Sequence, residues 1–138
     1  MRKLLKLWLY MIILSVLLCG CRKTLAEVPN SPDLVIRISL FYEHRGQRLE
    51  RVYTDNSKMD VILYYLYDLT PLGRPEEDPE SLVGDRCRIT LHLSHGQTHI
   101  YRQFGNQYLS VDNRPWQKID KKQASVLYHL VNHMESDK

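Results

Sequence analysis

The chain is 138 residues long, with 19 Lys+Arg against 16 Asp+Glu and a formal net charge of +3. That length accommodates one domain behind an N-terminal segment and excludes two. Arg2, Lys3 and Lys6 supply the whole excess, leaving 16 basic and 16 acidic residues from position 21 onward, and a near-neutral remainder makes no electrostatic case for nucleic acid or anionic headgroups, both of which need clustered positive charge.

The three N-terminal cations precede an uncharged apolar run over 7–18, the layout of a secretory signal. From Leu7 to Cys21 there are 15 residues without a charge, short of the ~20 that span hydrocarbon, so a permanent transmembrane helix is the weaker reading. The run ends Leu18-Cys19-Gly20-Cys21, with small Gly20 directly before Cys21 and polar Arg22-Lys23-Thr24 after it. This resembles the lipobox of bacterial lipoproteins, Leu-x-Gly-Cys. The resemblance implies that residues 1–20 are a cleaved signal peptide and that Cys21 becomes a lipidated N-terminus. The protein is then expected on the extracytoplasmic side of the cell membrane, held by acyl chains such as palmitate; two or more chains anchor durably where one does not. The alternative is an ordinary signal peptide or an uncleaved anchor, with Cys21 a bystander. Cys19 follows bulky Leu18 and is the poorer acylation site. Arg22 stands where the lipoproteins it resembles carry Asp when retained at the inner membrane, which permits outer-membrane sorting. With Cys21 lipidated, Cys87 has no disulfide partner, and the fold rests on burial alone.

Residues 21–33, with Pro29 and Pro32, read as the lipidated N-terminus and a tether, and 34–138 as a single α+β domain. Residues 34–42 alternate, placing Leu34, Ile36, Ile38, Leu40 and Tyr42 on one side of a strand. A glycine turn at His44-Arg45-Gly46-Gln47 leads into a second strand over 48–54. Asp55, Asn56 and Ser57 all suit a helix N-cap, and Met59, Ile62, Leu63 and Leu66 follow at helical spacing in a helix that ends before Pro71. The stretch 70–85, with Pro71, Pro75 and Pro79 and mostly acidic charge, reads as irregular, either a functional surface loop or a mobile insertion. Cys87, Ile89, Leu91 and Leu93 then alternate inward. His95-Gly96 can make a two-residue turn, Gly105-Asn106 a second turn and Asn113-Arg114-Pro115 a third. Asp120 with Gln123 forms a capping pair for a last helix carrying Ala124, Leu127, Leu130, Val131 and Met134 on its apolar side.

These elements predict an antiparallel sheet of five to six strands with two amphipathic helices packed on one face. Arg37-Ile38-Ser39-Leu40 and Arg88-Ile89-Thr90-Leu91 each open a hairpin with a central Gly-Gln, and each half closes with a capped helix. That pattern suggests a duplicated ββα unit, with chance similarity as the rival reading.

Chemistry-bearing residues are sparse. A two-residue turn at His95-Gly96 would set His92 opposite His99, close enough for a shared transition metal, although no third or fourth ligand stands at fixed spacing. Cys87 lies in the core register, and no nucleophile elbow, phosphate-cradling glycine loop or spaced acidic pair appears. Tyr53, Tyr101, Tyr108 and Trp116 are candidates for an exposed aromatic binding patch. The expected function is a non-enzymatic binding or interaction module of the cell envelope, without a cofactor. It would meet a protein, peptide or envelope polymer through the open sheet face or the acidic loop, and not nucleic acid. The rivals are a metal sensor or scavenger using His92 and His99, and an envelope hydrolase or its inhibitor with no identifiable catalytic set.

Overall fold

A computed structural model describes residues 34–137; the segments expected to be a signal peptide, a lipidated Cys21 and a tether lie outside the described residues. Strands β1 (Val35–His44) and β2 (Gln47–Tyr53) form the first hairpin. It turns through Arg45 (φ 49) and Gly46 (φ 77), two successive left-handed residues whose twist matches that of the flanking strands. Helix α1 (Asn56–Asp68) follows, then β3 (Pro71–Gly73), a 3-10 turn (Pro79–Ser81), β4 (Arg86–Leu93), β5 (Thr98–Phe104), β6 (Tyr108–Val111) and β7 (Gln117–Ile119). The described chain closes with a single helical turn, α2 (Lys121–Ala124), and helix α3 (Val126–His133). All pairings are antiparallel, in the order β2-β1-β4-β5-β6-β7-β3.

The architecture is α+β, with seven strands where five to six were expected. The additional strand comes from the segment read as irregular: Pro71 pairs with Ile119 and Gly73 with Lys118. Proline is tolerated there because it opens an edge strand, where its missing N–H is not needed. Asp78 caps the 3-10 turn by accepting from the Glu80 N–H at 3.0 Å, so 70–85 is partly ordered by its own side chains.

In β4 the alternation holds: Cys87, Ile89, Leu91 and Leu93 are all buried. In β1 it slips. A bulge between Val35 and Arg37 puts two residues against one, so Val35 takes the buried position while Leu34 and Ile36, expected inside, are 43% and 55% exposed. Helix α1 buries Met59, Ile62, Leu63, Tyr65 and Leu66, and Asp55 caps it by accepting from the Lys58 N–H at 3.2 Å. The last helix is broken at Ser125 into α2 and α3. Asp120 accepts from the Gln123 N–H at 3.0 Å, but the Gln123 side chain accepts from the Thr70 N–H at 2.8 Å instead of reaching back to Asp120. Half of the capping box is thereby used to tie α2 to the start of β3.

Ile62 and Leu66 of α1, Leu127 and Val131 of α3, and Ile38, Leu40, Ile89, Leu91 and Tyr101 of the sheet share one core. At its centre Ile38 pairs with Leu91, Ser39 with Thr90, and Leu40 with Ile89. The two similar tetrapeptides thus lie antiparallel against each other, with β2 and β5 outside them. No helix among the described residues is long and apolar enough to cross a membrane.

Candidate functional site: the uncovered sheet face

Strand alternation sends one set of side chains toward the helices and the other to the opposite face. On that second face the register sets Phe41 against Arg88, and Arg88 against Arg102. Two arginines directly opposite each other on neighbouring strands repel, at a cost of roughly 0.2–1 kcal/mol. Aromatic rings draw the guanidiniums to different sides: Arg88 Cζ lies 5.4 Å from the Phe41 ring centroid and Arg102 Cζ lies 5.2 Å from that of Trp116. One row over, Arg86 Cζ lies 5.8 Å from the centroid of Phe104. Each contact is a cation–π pair. Among the described residues, no carboxylate forms an ion pair with Arg86 or Arg88.

The acidic segment covers one end of this face. Glu80 Oε1 accepts from Arg102 Nη1 at 3.3 Å and from Trp116 Nε1 at 3.4 Å. The Tyr108 hydroxyl donates to Glu77 at 3.5 Å, and Glu76 pairs with Lys118 at 3.6 Å. Gly84 passes so close to Phe104 that a Cβ there would meet ring Cζ at 3.1 Å. The segment is anchored where β4 begins: Asp85 accepts from His44 Nδ1 at 2.7 Å and from the Tyr42 hydroxyl at 3.2 Å. Burial, with Asp85 second, pushes the Tyr42 phenol well above its usual range.

At the other end of the face lies a cleft of about 390 Å³ lined by Ile36, Arg37, His92 and Thr98 among others. Arg37 Nη2 lies 3.3 Å from His92 Nδ1, and Ser39 Oγ 3.1 Å from His92 Nε2. Arginine only donates, so Nδ1 accepts, and Nε2–H donates to Ser39. Burial, and then the Arg37 charge, push the His92 pKa down.

The expected His92–His99 pair does not form. Leu93 N–H donates to Gln97 O at 2.9 Å and Gly96 N–H to Leu93 O at 3.0 Å, so the turn has three residues, with Gly96 at φ 88. One extra residue shifts the register by one and flips every side chain that follows. His92 faces Thr98, and His99 pairs with Leu91 on the helix-facing side, where its Nδ1 bonds Asp112 at 2.7 Å. Both nitrogens of His92 are already engaged. No group of three or more metal-ligating side chains gathers among the described residues.

The expected aromatic patch is also redistributed. Tyr53 and Tyr101 are 0% and 1% exposed, because their register positions point to the helices; the Tyr53 hydroxyl donates to Met134 O at 2.8 Å. Tyr108 is buried and, with half-buried Trp116, holds the acidic segment. The tyrosine rings exposed among the described residues are Tyr64 and Tyr67 on the outer side of α1 and Tyr128 on α3. Cys87 is buried, and burial raises its pKa far above the ordinary thiol value, so the thiol stays protonated.

Arg86, Arg88 and Arg102 were not singled out from the sequence. The outward alternation Arg86, Arg88, Thr90 was visible in β4, but which strand lies beside it was not. Comparison of the chain with family models, with curated proteins and with solved structures finds no match in any of the three.

Proposed function

We propose that the protein is a lipid-anchored, extracytoplasmic binding module of the bacterial cell envelope, not an enzyme, and that it takes an acidic segment of a protein, peptide or envelope polymer on its uncovered sheet face. The anchor rests on the lipobox-like Leu18-Cys19-Gly20-Cys21 and its basic, apolar lead-in. The binding reading is carried by Arg88 facing Arg102 across neighbouring strands. Such a pair is unfavourable for the fold by itself, and local conflicts of this kind are expected where function demands them. A carboxylate laid between the two guanidiniums turns the repulsion into two charge-assisted hydrogen bonds. Glu80 on Arg102 and Trp116 is an internal instance of that chemistry. The finer reading of the fold is a degenerate duplication, supported by the β2-β1-β4-β5 order and by the mutual pairing of the two similar tetrapeptides.

The test is retention of the purified full chain on isolated cell envelopes, wild type against Arg88→Glu. A hydrogen bond to a charged group contributes ~1.5–3 kcal/mol, so the variant is expected to bind at least about tenfold more weakly, and wild-type retention is expected to fall as salt rises. Equal retention of the two chains at all salt concentrations would remove the uncovered face as the binding site.

A further inference from the structure

Helix α3 carries two histidines that neither the fold nor the uncovered face uses. His129 and His133 are separated by one helical turn, both exposed, with ring centroids 6.2 Å apart and planes inclined by 34°. Residues at i and i+4 share one side of a helix, and two imidazoles so placed can point their outer nitrogens at one ion. His133 Nδ1 lies 2.8 Å from His129 O. A carbonyl only accepts, so Nδ1 holds the proton and Nε2 keeps its lone pair outward. A backbone carbonyl holding the inner nitrogen is the arrangement that orients metal-bound histidines generally. The outer flank continues as a run of rings, Tyr128 lying 6.0 Å from His129 and 5.9 Å from His44.

We infer that His129 and His133 form a bidentate surface site for a borderline divalent transition metal, bound through both Nε2 atoms with water completing its shell. Two neutral nitrogen ligands select copper, nickel or zinc over magnesium or calcium, which want oxygen. With two protein ligands, the remaining positions of the ion are left to water, unlike a closed structural site with four protein ligands. It is separate from the sheet face and stands or falls independently of the binding function.

The experiment is Zn²⁺ titration of the full chain in detergent, followed by histidine ring ¹⁵N resonances and by calorimetry. The expected result is one equivalent bound, with the Nε2 resonances of His129 and His133 moving together. His129→Gln and His133→Gln should each weaken binding at least about tenfold, since loss of even an outer-shell partner costs 10–100-fold, while His95→Gln is unchanged. Both replaced side chains are exposed, and circular dichroism verifies the fold. Zinc-induced shifts confined to other residues, or wild-type affinity in either variant, would overturn the site. The wild-type resonances decide the question even if a variant fails to fold.

Discussion

At the scale of single residues, the proposed binding role is separable from stability at Arg88. Replacing it by Glu gives Arg102 an opposite-charge neighbour, a gain of roughly 0.2–1 kcal/mol, and removes the cation–π contact with Phe41, a loss of about 0.5–1 kcal/mol, so unfolding free energy should stay within about 1 kcal/mol of wild type while the proposed envelope binding falls. Chemical denaturation of both chains reads the first effect; a larger loss in Arg88→Glu would show that Arg88 serves the fold. The buried ionisable groups act at high pH. Cys87 and Tyr65 are held neutral chiefly by burial, so their folded pKa values lie above the ordinary 9.0 and 10.0, and the unfolded chain ionises first. Their contribution is complete below pH 9 and is lost as pH rises through and beyond 9–10. Urea midpoints should therefore be level from pH 7 to 9 and drop by pH 11, and the Cys87→Ala variant should drop less steeply.

At the scale of elements, α1 is the main apolar contributor to the core outside the sheet. Leu66 is 0% exposed, and Leu66→Ala should cost about 2–5 kcal/mol, whereas Val126→Ala on the exposed side of α3 should stay within about 0.5 kcal/mol. The chain's end forms a second device. The Asp137 carboxylate accepts from the Thr54 and Asp55 N–H groups, each at 2.6 Å, and pairs with Lys58 Nζ at 2.6 Å. Ser136 Oγ lies 2.7 Å from Val52 N and 3.0 Å from its carbonyl. The tail thus covers part of the open edge of β2, the edge at which a sheet is exposed to aggregation. With Asp137 held anionic by Lys58 and the backbone donors, its pKa lies well below the usual carboxylate range. Asp137→Asn should speed amide exchange at Val52 and Thr54; unchanged rates would show that the tail does not hold the edge. Helix α1, the Arg45-Gly46 turn and the β4 alternation were legible because each is set by neighbours in sequence. The Val35/Arg37 bulge, the third residue in the turn at His95 and edge strand β3 were not, because each is decided by the strand alongside.

At the scale of the whole molecule, the proposed anchor and the proposed binding face lie in different parts of the chain. Cys21→Ser should leave the chain unacylated with its signal uncleaved, read as a heavier band, and mass spectrometry of the membrane-bound wild type should find Cys21 acylated; an unmodified Cys21 there would end the anchor reading. By itself the sequence determined the α+β class, the helix starts near Asp55 and Asp120 and most of the core, since these depend on short periodic patterns and local hydrogen bonds. Tertiary structure decided which outward side chains meet. A one-residue register separates His92 from His99, the helices cover Tyr53 and Tyr101, and the β1-β4-β5 order brings Phe41, Arg88 and Arg102 into one row. From position 21 onward acids and bases balance, but strand pairing is a long-range choice, and it gathers the arginines on a face where that average no longer applies.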